Sequence, residues 1–221
     1  MEIAEGMEYL HHYCSVQVIH CDLKPSNVLL GDDMTSCIAD FGLSSLIFGN
    51  SVDSLTSTNA LKGSIGYIAP EYGIGGQLTT KGDVYSYGIL ILELLTKRRP
   101  TDDMFIEGMN LQKWVELHFL NRISIVLDNC LLLDVPESDR SMVMECLTQF
   151  IEIGLFCTRE SPSERPDMIE IVDRLNTIRG TFLGTPKTIQ LPVDISPFID
   201  NTRGINMSGP GNRGSSSTST S

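Results

Sequence analysis

His20-Cys21-Asp22-Leu23-Lys24-Pro25-Ser26-Asn27 sets a carboxylate ahead of a carboxamide, with an amine between them and a proline stiffening the loop. Asp40-Phe41-Gly42 adds a second carboxylate after a short apolar run, and Ala69-Pro70-Glu71 ends a long polar stretch. A carboxylate can orient a hydroxyl and accept its proton. A carboxylate and an amide oxygen are hard donors suited to magnesium, and an ammonium can neutralise charge that builds on a reacting group. Singly, Asp22 and Asp40 read as turn residues and Asn27 as a loop cap, because Asp and Asn bond their own backbone in turns. Their joint order and spacing read as one constellation.

The elements that must position these residues are short at first and helical later. Met1 to Tyr13 reads as a helix with Ile3, Ala4, Met7 and Leu10 on one stripe. It has no N-cap or lead-in, so the chain is expected to begin inside an element. Apolar and β-branched runs at Val16–Ile19, Asn27–Leu30 and Ser36–Ala39 read as strands parted by turns such as Gly31-Asp32-Asp33. Residues 43–66 have the Ser, Thr, Gly and Asn content of a long functional loop. From Asp83 to Thr96 the pattern is apolar nearly all round, which marks a helix buried on every side. Lys97-Arg98-Arg99 suits its C-terminal dipole, and Pro100 stops it. Asn110–Leu120 reads as amphipathic, with Leu111, Trp114, Val115 and Phe119 inward, and Arg140–Cys157 and Pro166–Arg179 read as two more helices. The expectation is a mainly α lobe over 1–179 around a central buried helix, then a disordered Ser/Gly/Thr-rich tail over 180–221. The chain shows no internal repeat.

Composition narrows the function classes. Among 221 residues, 16 Lys and Arg stand against 28 Asp and Glu, a net charge of −12. Such a chain is repelled by a phosphate backbone and by anionic membrane surfaces, which argues against nucleic-acid binding. A hydrophobic content of 41% excludes wholesale disorder. Six cysteines without a CxxC pair read as buried reduced thiols in a cytosolic protein. Tyr87–Leu95, the longest apolar stretch, carries Glu93 and falls short of the roughly 20 residues of a spanning helix. No secretory signal opens the chain, so it reads as soluble and intracellular. His11, His12 and His118 lack ligand spacing and read as exposed or edge residues, and Met142 and Met144 as core filler. Gly209-Pro-Gly-Asn-Arg-Gly spells GxGxxG in the polar tail, follows no strand and opens no helix, so it is expected to bind no nucleotide. Asn206-Met-Ser fits a glycosylation acceptor that a chain without a secretory route never presents.

The ordered motifs, followed by the Asp83 helix and Glu164-Arg165-Pro166, resemble the C-terminal lobe of a eukaryotic protein kinase from Met1 to Arg179. The resemblance implies an α+β kinase fold lacking its N-terminal β-rich lobe. It also implies ATP and Mg²⁺ as cofactors and protein Ser/Thr hydroxyls as substrates. Asp22 then matches the catalytic base, and Lys24 the loop lysine that neutralises the transferred phosphoryl group. Asn27 and Asp40 match the metal-holding pair, and Leu29 the floor under the adenine ring. Ser64 matches the hydroxyl set against Asp22 and Lys24 in serine/threonine members. Glu71 and Arg165 match a buried ion pair, Asp83 an anchor for the catalytic loop, and His20 and Phe41 a packed stack.

Two departures qualify the resemblance. Cys21 stands where most regulated kinases carry the Arg that pairs with a loop phosphate, so phosphorylation of Ser or Thr in 44–64 is expected not to switch the protein by that route. That change, with the phrases His-Cys-Asp-Leu-Lys-Pro-Ser-Asn-Val-Leu-Leu and Gly-Tyr-Ile-Ala-Pro-Glu-Tyr, looks most like plant leucine-rich-repeat receptor-like kinases. This group implies an ectodomain, one membrane span, a kinase on the cytoplasmic side of the plasma membrane, a co-receptor kinase partner and a role in defence. The second departure is that the family's glycine-rich loop, strand lysine and partner Glu are expected upstream of Met1. The chain alone is therefore expected to transfer phosphate negligibly. The rival reading is a catalytically inactive lobe that docks on other kinases or competes for their substrates. Intact Asp22, Lys24, Asn27 and Asp40 favour the enzyme.

Overall fold

The computed structural model describes residues 1–48, 51–52, 63–106 and 108–184. The Ser and Thr residues of 53–62, and the tail from 185 with Asn206 and the GxGxxG string, lie outside the described residues.

At the centre lies α3 (Thr80–Thr96), in which Gly82 through Glu93 form one buried run. A helix apolar on all sides must be surrounded, and here two hydrophobic clusters flank it. One cluster joins it to α1 (Glu2–Glu8) and α6 (Met168–Leu183), the other to α4 (Leu111–Val126), and α5 (Arg140–Cys157) contributes to both. Small residues set the closest helix approach. A Cβ on Gly88 would lie 2.6 Å from Cys157 Cβ, and one on Gly154 would lie 2.6 Å from Leu92 Cδ2. The Asn110 side chain caps α4 by accepting from the Lys113 amide, and Leu111, Trp114 and Val115 face inward as read from the sequence.

Above this core lie two small antiparallel sheets. β2 (Val28–Leu30) and β3 (Ser36–Ile38) form a hairpin. β1 (Gln17–Ile19) pairs with β4 (Ser45–Phe48), which pairs in turn with β5 (Ser51–Val52). The start of the 43–66 stretch is thus strand rather than loop, because Ser-Leu-Ile-Phe has the composition to pair and β1 offers an open edge.

Other expectations shift at their boundaries. α1 gives way over Tyr9–Tyr13 to a π turn, closed by the Cys14 amide donating to the Tyr9 carbonyl at 3.0 Å. α6 starts after Pro166, capped by Asp167, and runs to Leu183, past the point where polar composition suggested an end. Phe182 packs on both clusters and holds that last turn. Cys21, Cys146 and Cys157 are buried as expected, but Cys37 and Cys130 are exposed on short surface elements. Among the described residues no helix is long and apolar enough to cross a membrane.

Candidate active site

The site is built on one carboxylate at the start of α3. Asp83 is buried and accepts from the His20 amide at 2.7 Å, the Cys21 amide at 2.8 Å and His11 Nε2 at 2.9 Å. Two consecutive amides can reach one carboxylate because Cys21 takes a left-handed turn at φ 68°. Its buried thiol then packs toward the Ile19 carbonyl and Ser45, joining the loop to β1 and β4. His20 continues the brace: its Nε2 bonds the Ala39 carbonyl at 3.1 Å, and its Nδ1 accepts from the Asp22 amide at 3.3 Å. Its ring meets Phe41 edge-on at 5.0 Å.

On this brace Asp22, Lys24, Asn27 and Ser64 converge. Lys24 Nζ lies 2.9 Å from Asp22 Oδ2 and donates to Ser64 Oγ at 2.6 Å. The Asn27 amide nitrogen donates to the Asp22 carbonyl at 2.8 Å and to Asp22 Oδ2 at 3.2 Å. Burial acts against the charged form of Asp22, yet Lys24, Ser64 and Asn27 together outweigh it and hold its carboxyl below the usual range. Asp22 Oδ1 is buried and has no hydrogen-bond partner among the described residues. An ionised carboxylate with one engaged and one unengaged oxygen can accept a further hydrogen bond or a proton there.

Asp40 and Leu29 lie on the neighbouring elements: Leu29 is two residues past Asn27, and Asp40 follows Ala39, whose amide donates to the Asn27 carbonyl at 2.8 Å. Asp40 is exposed, takes a left-handed conformation at φ 63°, and accepts from the Gly42 amide at 3.3 Å. Leu29 is 49% exposed on β2.

Residues 1–174 match the protein kinase domain. The chain belongs to the protein kinase family. It is 40% identical over 200 residues to the leucine-rich repeat receptor-like serine/threonine-protein kinase At2g24130 of Arabidopsis thaliana, covering 85% of this chain and 20% of that protein. It is 39% identical over 193 residues to receptor kinase-like protein Xa21 of Oryza sativa subsp. japonica, covering 83% and 19%. With LRR receptor-like serine/threonine-protein kinase EFR of Arabidopsis thaliana it shares 37% identity over 192 residues, covering 86% and 18%. The chain thus spans about a fifth of the length of these relatives.

Protein kinases as a family work with ATP and Mg²⁺, and the donor set of this kinase domain fits them. The Asn27 nitrogen is spent on Asp22, which leaves its oxygen as the atom to face a cation, and Asp40 adds an exposed carboxylate. The structural matches read from the sequence also hold. Arg165 pairs with both carboxylate oxygens of Glu71 at 2.8 Å.

Two site residues escaped the sequence reading. His11 is buried on Asp83 rather than exposed, because the π turn swings it inward, and a helical wheel carries no signal of that turn. Tyr67 donates its hydroxyl to Glu93 of α3, and Ser86 Oγ donates to the Tyr67 carbonyl at 2.8 Å. A lone carboxylate inside an otherwise apolar helix was the available signal for that tie.

Proposed function

We propose that this chain is the catalytic lobe of a receptor-like serine/threonine protein kinase that transfers the ATP γ-phosphate to protein Ser and Thr hydroxyls. The observation that carries the reading is Lys24 bridging Asp22 and the Ser64 hydroxyl. When bound, Mg²⁺ neutralises the phosphates and fixes their geometry. Asn27 and Asp40 would hold the metal, and Leu29 would supply the apolar surface for the adenine. Asp22 orients the incoming hydroxyl through its unengaged Oδ1 and takes its proton. As the acceptor oxygen bonds to phosphorus, the bond from phosphorus to the bridging oxygen breaks and ADP leaves. Lys24 stabilises the charge on the transferring group. Ser64, bonded to the same lysine, marks a site for alcohol rather than phenol acceptors. The names of the relatives support a receptor-like kinase acting on protein substrates, and the resemblance read from the sequence extends this to the cytoplasmic side of the plasma membrane, a co-receptor kinase partner and defence signalling.

The test uses the native-length protein, captured through an antibody to residues 201–221 and offered serine and tyrosine peptides with labelled ATP. The expected outcome is serine transfer that Asp22→Ala lowers about 10²–10⁴-fold, with the KM for ATP nearly unchanged. Equal transfer by wild type and variant overturns the reading. The rival, an inactive lobe that docks on other kinases, draws on the exposed apolar Leu29, Phe41 and Leu43. It takes over if the native protein binds partner kinases and transfers nothing.

A further inference from the structure

The first turn of α3 lacks a cap of its own. Its N-cap residue is Thr79, yet the Thr79 side chain makes no capping bond, and its Oγ1 is buried with no partner among the described residues. Asp83, the acidic residue of that turn, has both carboxylate oxygens committed to His11 and to the His20 and Cys21 amides. A helix N-terminus leaves backbone groups that a side chain ordinarily satisfies. Here the side chain comes from another element. The Tyr72 hydroxyl of α2 (Pro70–Gly73) accepts from the Thr79 amide at 3.0 Å and donates to the Thr79 carbonyl at 3.1 Å.

Gly82 makes the space for that phenol. A Cβ on Gly82 would overlap the Tyr72 hydroxyl oxygen and Cζ, and would lie 2.9 Å from Cε2. Burial raises the phenol above its ordinary range, outweighing the Thr79 bond, and the Asp83 carboxylate adds to the rise. The hydroxyl therefore keeps the proton it donates. The same turn is gripped from a second side: Arg165 donates to the Lys81 carbonyl at 2.9 Å, and Lys81 Nζ donates to the Arg165 carbonyl at 2.7 Å. Glu71 and Tyr72, neighbours on α2, thus reach one turn by separate routes, Glu71 through Arg165 and Tyr72 directly.

Asp83 follows Thr79 by one helical turn, so a shift of that turn moves its carboxylate. The loop that carries Asp22 hangs from this carboxylate by the two amides that precede Asp22. We propose that Tyr72 is a positioning residue: its hydroxyl caps α3 where Thr79 does not, with Gly82 giving it room, and so fixes where Asp83 holds the His20 and Cys21 amides and how Asp22 is aimed. This rests on the kinase reading. Tyr72 touches no reacting atom. Its effect falls on the transfer step rather than on the binding of ATP or peptide.

The test compares Tyr72→Phe and Gly82→Ala with wild type in the native-length protein, by steady-state kinetics against a serine peptide and by hydrogen exchange. Tyr72→Phe keeps the ring and removes both bonds to Thr79. It is expected to lower kcat at least about 10-fold, with the KM values for ATP and peptide nearly unchanged. Exchange should quicken at the His20 and Cys21 amides and over 79–83, but not within α5 or α6. Gly82→Ala, which displaces the phenol, should reproduce both effects; if it fails to fold, Tyr72→Phe decides alone. Unchanged kcat and unchanged exchange in Tyr72→Phe overturn the proposal. So does faster exchange spread evenly over α3, α5 and α6 at unchanged kcat, which makes Tyr72 a stability residue only. A raised peptide KM at unchanged kcat overturns it too, by placing the effect on acceptor binding. A wild-type protein that transfers no phosphate sinks the kinase reading instead, and exchange at His20 and Cys21 still decides whether Tyr72 sets Asp83.

Discussion

Glu93 shows how one buried group can carry a pH dependence. Burial in α3 pushes its carboxyl up to about 7 from an ordinary 4.5, against the opposing pull of the Tyr67 hydroxyl and of Arg99. The folded chain therefore holds this proton more tightly than the unfolded chain does. The stability this confers is fully present below pH 4.5 and is lost as pH rises toward about 7. Glu93→Gln keeps an acceptor for Tyr67 and cannot ionise. Urea unfolding from pH 4.5 to 7 should show the gap between wild type and variant moving in the variant's favour as pH rises. A constant gap across that range would place the Glu93 carboxyl near its ordinary value. Asp22 has the opposite sign, since its partners favour the ionised form, and it stays ready to accept a proton as pH falls to the ordinary carboxylate range.

Arg165 decides how two distant elements join. Its side chain is wholly buried, and all five guanidinium N–H groups have acceptors: two on Glu71 and one each on the Arg159, Glu160 and Lys81 carbonyls. It also lies 5.0 Å from the Tyr85 ring centroid. Arg165→Ala strands the Glu71 carboxylate and three carbonyls, and should cost about 3–5 kcal/mol of stability in urea unfolding. A loss below about 1 kcal/mol would mean that water reaches Glu71 and that the pair acts as a surface bridge. This join was legible beforehand, because Ala69-Pro70-Glu71 and Glu164-Arg165-Pro166 carry it as motifs. The Asp22, Lys24 and Asn27 cluster was legible for the same reason, and α3 because a helix apolar all round leaves no other placement. The pairing of β4 with β1 was not, since strand partners are fixed by long-range contacts and the stretch is masked by the polar residues after it. The inward turn of His11 depends on a local widening of the helix that no residue pattern marks.

At the scale of the whole chain, the lobe combines a continuous buried core with apolar side chains left exposed near the residues that would meet a nucleotide. α3 and its neighbours form the buried core, while Leu29, Phe41 and Leu43, on and after the two residue runs that carry Asn27 and Asp40, keep apolar side chains exposed. Phe41 is 45% exposed even though its ring packs on His20, so this stack is only partly covered. Phosphoryl transfer needs the nucleotide held as well as the acceptor, and positioning of this kind can supply roughly 7–11 kcal/mol of a barrier. None of the described residues forms a glycine-rich loop over the phosphates. The 221-residue chain expressed by itself should therefore transfer no more labelled phosphate to a serine peptide than its Asp22→Ala variant does. Addition of a small lobe taken from a relative should restore transfer and quench binding of a hydrophobic dye, as it covers the exposed Leu29 and Phe41. Asp22-dependent transfer by the chain alone would show that Asp40, Asn27 and Lys24 suffice to hold the nucleotide, and that the exposed Leu29 and Phe41 serve something other than a second lobe.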